Sequence, residues 1–333
     1  MDDLDVNHEW LACHFDHIFF ESECGESSKR LVDEFYKKGT FVDSDGAIGA
    51  NLRDYGLGFC LLLKRDGTVL YATRDLSLAQ VKFDTYGIDR SIYVVDSAQT
   101  LHFQQVFKCL ELMGYEQAHK CYHLPYAQVV LPSGKMSSRK GNVILFSELK
   151  ERLLSKIRSE YLSKYENEWP QEELDQTAYA IALATIRYGM LNQDNNSLIV
   201  FDLEEWTAKT GNTGPYILYA YARIASILKE AGAPQCNTAN FSLLTHPTEA
   251  EVLLHLMNYH GIVERACQQM TPMLLCVYVY QLSKLFSQMY SQCSVLKAES
   301  EELSIARVCL VDSIAKVIKH ALSLIGIVTV ERM

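Results

Sequence analysis

A chain of 333 residues that is 48% apolar and 22% charged has the composition of a soluble globular protein and the length for two domains. Its formal net charge of −10 supplies no general attraction for nucleic acid, so any RNA contact must use local basic patches. Ten scattered cysteines with no CxxC pair read as free thiols in a reducing cytosol, not as a disulfide framework.

The N-terminus, Met1-Asp2-Asp3-Leu4-Asp5, is acidic and lacks the basic-then-apolar pattern of a signal peptide, which leads us to expect a cytoplasmic protein. His8, His14 and His17 follow and suit surface or packing roles. Ser28 to Lys38 carries Leu31, Val32, Phe35 and Tyr36 at helical spacing, and Gly39 ends it. Thr40 to Val42 and Ala47 to Asn51 read as strands around the turn Asp43-Ser44-Asp45-Gly46. Leu61-Leu62-Leu63 and Val69-Leu70-Tyr71 form a second hairpin pattern around Asp66-Gly67. A helix is expected from Thr73 or Asp75, with Gly87 past its end, then a strand over Ser91 to Asp96, a helix over Thr100 to Met113 and a strand over Cys121 to Leu131. Strands alternating with helices predict a parallel sheet with crossover helices, whose ligands collect beyond the carboxyl ends of the strands. Gln99 and the stretch 134–142 both fall at such ends.

After Ser147 the strand signal nearly vanishes. Helices are expected over Ser147 to Lys164, Gln171 to Leu191, Asn212 to Ala231, Thr248 to Ala266, Thr271 to Cys293 and Ser304 to Ile325, with Thr213-Gly214-Pro215 and Thr271-Pro272 as starts and Gly232 and Gly326 as stops. In the last helix Val308, Val311, Ile314, Ala315, Ile318 and Leu322 make a stripe that core packing explains. The longest apolar-rich run, Met273 to Leu282, is too short to span a bilayer, so no membrane partner is expected. His119, Cys121 and His123 would share one strand face, but a zinc site needs a closing second pair and none follows, so no metal site is expected.

Two stretches carry chemistry. Gly134-Lys135-Met136-Ser137-Ser138-Arg139-Lys140-Gly141 places three cations and two hydroxyls between glycines. Glycines let backbone approach a ligand, and the side chains supply donors and charge. Such a loop suits a polyphosphate, and equally a basic surface loop. The second is Thr68-Val69-Leu70-Tyr71-Ala72-Thr73-Arg74-Asp75-Leu76, in which Tyr71 and Asp75 share one side of a helical turn. A carboxylate beside a phenol suits a guanidinium, because a carboxylate accepts two parallel N–H bonds. The alternative is a carboxylate favoured by a helix N-terminus.

The loop resembles the KMSKS signature of class I aminoacyl-tRNA synthetases, and its -SRKGN ending is similar to the form in arginyl-tRNA synthetases. Tyr71 to Leu76 is similar to that family's YxTRDL segment. The run Gly214-Pro215-Tyr216-Ile217-Leu218-Tyr219-Ala220-Tyr221-Ala222-Arg223 resembles the start of its helical anticodon-binding domain, and Glu331-Arg332-Met333 its common ending. The resemblance spans about residues 15 to 333 and implies a fold class: α/β, a partial Rossmann-type nucleotide-binding fold, followed by an all-α helical bundle. It implies 1–146 as the C-terminal part of a catalytic domain, 147–206 as a helical connector and 207–333 as the anticodon-binding domain. Tyr71, Asp75 and Gln99 would hold arginine. Lys135, Ser137, Ser138 and Arg139 would be catalytic, and Lys135, Met136 and Ser137 would meet ATP with its Mg2+. His102 falls with Gln105 in an H-F-x-Q helix and is assigned to the ATP side. Tyr219, Arg223 and Met333 would contact tRNA(Arg), though Tyr219 and Arg223 equally suit packing and solvation.

The resemblance departs in two places. Neither Asn7-His8-Glu9-Trp10 nor Cys13-His14-Phe15-Asp16-His17 is the earlier HIGH-type signature, so the chain resembles only the C-terminal portion of the family. Ser138 stands where KMSKS has lysine, and Arg139 and Lys140 supply the displaced charge. The reading is ATP-dependent arginylation of tRNA by a monomer, or by a chain associating with a separate N-terminal half. The rival is a non-catalytic tRNA-binding or assembly module. A cysteinyl-type synthetase is a third reading, opposed by the YATRD segment and the absence of a zinc cysteine set.

Overall fold

The computed structural model of the chain describes residues 2–20, 23, 25–132, 134, 144–232 and 236–333. Its apolar side chains bury in two separate clusters, and the chain divides accordingly into Met1–Cys13 with Val129–Met333, and His14–Gln128.

The chain opens with helix α1 (Asp2–Trp10), an element its acidic sequence does not announce. Trp10 anchors it, with ring centroids 5.4 Å from Phe146 and 5.7 Å from Tyr179. Arg187 holds the end of α1 by donating to the Leu11 and Ala12 carbonyls at 2.6 and 3.0 Å, and it also donates to the Gly326 carbonyl at 2.6 Å.

The unit His14–Gln128 begins with α2 (Gly25–Lys37), then an antiparallel meander of β1 (Val42–Ser44), β2 (Ala47–Asn51) and β3 (Phe59–Leu63). The second hairpin expected from Val69 to Tyr71 shrinks to one bridge, Leu63 to Val69. Tyr71 instead opens α3 (Tyr71–Tyr86), because the Thr73 hydroxyl donates to the Leu62 carbonyl at 2.5 Å in the buried first turn. Gly87, at φ 58°, closes α3 as a left-handed cap. Next come β4 (Ser91–Asp96), α4 (Thr100–Leu112) and β5 (Cys121–Tyr126). β4 and β5 run parallel in register and α4 is their crossover, as the alternating pattern predicts. The core of this unit gathers Val32, Leu52, Leu62, Leu76, Val106 and Leu110, all fully buried.

The strand expected over Cys121 to Leu131 is two strands with different partners. β6 (Val129–Val130) pairs in parallel with β7 (Ile199–Val200), and the Phe201 N–H donates to the Val130 carbonyl at 2.8 Å. Between them lies α5 (Phe146–Ile157), where a longer helix was expected. From Arg158 to Leu162 the chain widens into a π-turn, then a 3-10 turn over Ser163–Tyr165. The wider turn lets the adjacent Tyr161 and Leu162 both face inward, 6% and 1% exposed.

The helical remainder is α6 (Gln171–Leu191), the short α7 (Leu203–Trp206), α8 (Gly214–Ala231), α9 (Pro247–Met257), α10 (Tyr259–Gln269), α11 (Met273–Gln292) and α12 (Glu301–Leu324). The helix expected over Thr248 to Ala266 breaks at Asn258, whose side chain donates to the Leu254 carbonyl at 2.9 Å and whose N–H donates to the His255 carbonyl. α8 starts as its sequence dictates: the Thr213 hydroxyl accepts from the Tyr216 N–H at 3.2 Å, with Pro215 in the first turn. Gly214 is required there, since a Cβ would stand 2.4 Å from the Ala184 carbonyl oxygen of α6. All six residues of the expected α12 stripe are buried. The chain is therefore mixed α/β with parallel strands, followed by a helical region. Among the described residues no helix is long and apolar enough to cross a membrane.

Candidate functional site

The first turns of α3 and α4 bring polar side chains together in the unit His14–Gln128. Asp75 and His102 are 27 residues apart, yet Asp75 Oδ2 lies 2.6 Å from His102 Nε2. Both side chains are only about a quarter exposed, at 26% and 24%. The ring of His102 stands edge-on to Phe103 at 5.1 Å, which fixes its plane. Tyr71, one turn before Asp75 on α3, is 72% exposed. Gln99 sits at the carboxyl end of β4 as the residue before α4, and is exposed. Gln105 donates to the Leu57 carbonyl at 2.8 Å and so ties α4 to the loop before β3.

A carboxylate has room for about four acceptor bonds, so one bond to His102 leaves Asp75 able to accept a two-pronged donor. His102, expected on the nucleotide side, has its Nε2 engaged by Asp75. Further along α3, Lys82 lies over the Tyr93 ring at 3.9 Å and donates to the Ser91 hydroxyl at 3.1 Å. Burial holds its ammonium below the usual lysine range, opposed by the negative charge of Asp75. Lys82 carries no motif and only the fold shows its place.

Lys135, Met136, Ser137, Ser138 and Arg139 lie outside the described residues. What flanks them is visible. Leu131 and Gly134 form a bridge, Gly134 has φ 111°, and the chain resumes through Ile144 and Leu145 into α5. Of the three residues considered for a metal, His119 lies in a 3-10 turn, Glu116–Lys120, not in a strand, and its Nδ1 is 2.7 Å from the Glu116 carbonyl. His123 Nε2 is 3.1 Å from the Val95 carbonyl. Among the described residues no three metal-ligating side chains form a group.

A second cluster forms in the other unit. Tyr219 of α8, half exposed, and Met333, 7% exposed, line one cavity of about 380 Å³ with Glu160, Tyr161, Ser163, Lys164 and Lys209. Lys209 donates to the Glu160 carbonyl and lies over the Tyr161 ring at 4.7 Å, while Lys164 lies over the Tyr165 ring at 4.5 Å. Burial, reinforced by the charge of Glu160, pushes the Tyr161 phenol above its ordinary pKa range. The C-terminal residues are strapped down. Arg332 stacks over Trp169 at 4.1 Å and pairs with Glu173, and the Tyr165 hydroxyl donates to the Met333 carbonyl at 3.3 Å. Arg223, one turn after Tyr219, is exposed with its guanidinium 4.6 Å over the Tyr290 ring, and it is not among the cavity residues. Lys164 and Lys209 escape sequence reasoning because nothing local marks them. The π-turn and the α7–α8 connection bring them to Tyr219. The arrangement offers aromatic faces and two ammonium groups around a hollow, which suits a base and its phosphate.

Residues 10–203 match the family model described as tRNA synthetases class I (R), catalytic domain, and residues 217–333 match the DALR anticodon binding domain. The chain is 40% identical to the arginine–tRNA ligase of Bdellovibrio bacteriovorus over 324 residues, which is 97% of this chain and 56% of that protein. It is 36% identical to that of Clostridium perfringens, over 98% of this chain and 57% of that one. The chain thus spans a little over half the length of these curated relatives. Its fold is similar to Thermus thermophilus arginyl-tRNA synthetase, with TM-score 0.85 at 24% identity over 99% of this chain and 62% of that one. It is also similar to the Plasmodium falciparum enzyme, with TM-score 0.83 at 22% identity over 100% of this chain and 56% of that one.

Proposed function

We propose a function from one premise: the chain belongs to the class I arginyl-tRNA synthetases. In this reading it takes part in joining arginine to tRNA(Arg) with ATP, in the cytoplasm. The carboxylate of arginine attacks the α-phosphate of ATP, pyrophosphate leaves, and a terminal ribose hydroxyl of tRNA then takes the arginyl group as AMP departs. Magnesium enters as the counter-ion of ATP and belongs to the substrate. Residues 1–146 contribute part of the catalytic domain, 147–206 the connector and 207–333 the tRNA-binding helices. In this reading the protein works as a monomer or together with a separate N-terminal half.

The observation that carries the reading is Asp75, held by His102 at 2.6 Å and one helical turn from Tyr71. A carboxylate steadied from one side and partly shielded from water is prepared for a guanidinium. Gln99 would take a remaining polar group of the amino acid. Lys135, Ser137, Ser138 and Arg139 would stabilise charge on the departing pyrophosphate, with Met136 and His102 beside the nucleotide. Removing one such preorganised donor raises a barrier by about 2.7–4 kcal/mol. In the enzyme completed with the part this chain does not span, Lys135→Ala should therefore slow arginine-dependent pyrophosphate exchange by about 10²–10³-fold, with arginine affinity little changed. An unchanged exchange rate would refute the role.

Tyr219, Arg223 and Met333 are the proposed tRNA contacts, joined by Lys164 and Lys209. Loss of one stacked aromatic costs about 1–3 kcal/mol per base, so Tyr219→Ala should weaken tRNA(Arg) binding to this chain by roughly 5- to 150-fold. Lys209→Ala should lower the salt slope of that binding by about 1. Filter binding over a range of salt concentrations measures both, and an unaltered slope would remove Lys209 from the site.

The second reading, a non-catalytic tRNA-binding or assembly module, is favoured by one observation: the Tyr219–Met333 cavity is built within the helical unit. Such a module binds tRNA(Arg) but gains no arginine activation when the unspanned part is supplied.

A further inference from the structure

A second hollow, of about 1050 Å³, lies in the helical unit, apart from the one that Tyr219 and Met333 line. Its walls come from α6, α8, α12 and the C-terminal strap of Val328 to Arg332. Tyr221 of α8 and Thr177 of α6 line it, although the two residues are only 8% and 7% exposed. Neither hydroxyl has a hydrogen-bond partner among the described residues, and neither is sealed from the hollow. A polar group held so deep without a partner is costly, and a bound ligand would offset that cost. The strap offers more groups of the same kind. Residues 327–330 take neither helix nor strand, and among the described residues no backbone N–H or carbonyl from Val328 to Glu331 is hydrogen-bonded. Yet the strap is fixed at both ends, by Arg187 on the Gly326 carbonyl and by Arg332 on Glu173, so its open groups are already in place.

The lining decides the class of ligand. Among the described residues Tyr221 is its one aromatic side chain, and that ring is buried, so no open face awaits a nucleobase. Glu173 pairs with Arg332 and Asp312 with Lys316, which leaves Lys229 and Glu331 as exposed lining charges without an ion pair among the described residues. One spare charge of each sign suits neither a polyanion nor a polycation. Hydroxyls that can donate or accept, beside a strap with open N–H and carbonyl groups, match a chain that alternates N–H and carbonyl groups itself. Ala180 and Ala225 leave room for its side chains. We propose that this hollow binds an extended peptide segment of another protein, laid along the strap, with a carboxylate of the peptide at Lys229. The site is separate from the tRNA contacts proposed above, since Tyr219, Arg223 and Met333 are not in its lining.

The full chain is immobilised and panned with a phage-displayed library of random heptapeptides, and the enriched sequences are synthesised. They are expected to share an acidic residue and to bind one-to-one in isothermal titration, with hydrogen exchange slowed over 328–331. Tyr221→Phe and Thr177→Val each keep the side chain's shape and remove one hydroxyl. Each should weaken binding by about 2- to 12-fold without lowering the melting temperature. Lys229→Gln should weaken it too and flatten its salt dependence. The inference falls if no sequence is enriched over a support without the protein, if the chain carrying both Tyr221→Phe and Thr177→Val binds the peptides as tightly as the parent, or if exchange over 328–331 does not change. It falls as well if tRNA displaces the peptides and itself slows exchange over 328–331, which would give the hollow to nucleic acid.

Discussion

Asp75→Ala is expected to cost the completed enzyme most of its grip on arginine. Truncating one partner of a partly buried, hydrogen-bonded charge pair costs about 2–5 kcal/mol, or roughly 30- to 5000-fold in affinity. Discrimination should fall with it. Lysine offers no planar fork, and sites that hydrogen-bond their substrate reject analogues lacking the group by about 10⁴–10⁵-fold. The effect comes from geometry, since Asp75 is held at 2.6 Å by His102 and is only about a quarter exposed. His102→Ala should produce a smaller loss of the same kind, because His102 acts by orienting the carboxylate. Isothermal titration with arginine and with lysine reads both. An Asp75→Ala enzyme with parental arginine affinity would place the guanidinium pocket elsewhere.

The largest stability effect is expected far from that site. Glu249, fully buried, accepts from Arg307 Nε at 2.7 Å and from the His246 N–H at 2.9 Å, so one carboxylate both caps α9 and joins it to α12. Arg307 itself is only 7% exposed and also donates to the Ser294 carbonyl at 2.9 Å. Glu249→Ala removes the closer of two carboxylates from a buried guanidinium and leaves it only the exposed Glu299 at 3.5 Å, against a cost of about 3–5 kcal/mol for a fully broken buried pair. Urea titration of the helical region should show a clearly lower midpoint. Removing both charges should cost less than removing one, because Glu249→Leu with Arg307→Met leaves no buried ion behind. A single variant within about 0.5 kcal/mol of the parent, the range of ordinary surface changes, would show that water reaches the pair.

Both predictions depend on contacts between residues far apart in the chain, and these were the least legible part of the sequence. The Tyr71–Asp75 spacing suits a guanidinium and equally a helix-start carboxylate, and nothing local ties His102 to Asp75. Its bond to Asp75 appears only once α4 has crossed over between β4 and β5. Lys164 and Lys209 join Tyr219 through a π-turn that no helical periodicity predicts. The break at Asn258 was missed because apolar spacing continues across it, while the bond of its side chain to the Leu254 carbonyl ends the helix.

By itself the sequence determined the kind of structure each long segment takes and where most of the helices stop. Caps, prolines, glycines and apolar period act within a few residues, so their effect survives in any surroundings. It also carried the family, because the YATRDL and KMSSRKGN stretches are local chemistry. Tertiary structure alone decided which strand β6 would pair with, that α1 would dock through Trp10, and that Asp75 would meet His102. Those outcomes turn on which distant surfaces fit together once buried, and the ordering of the intervening chain must be outweighed by that burial.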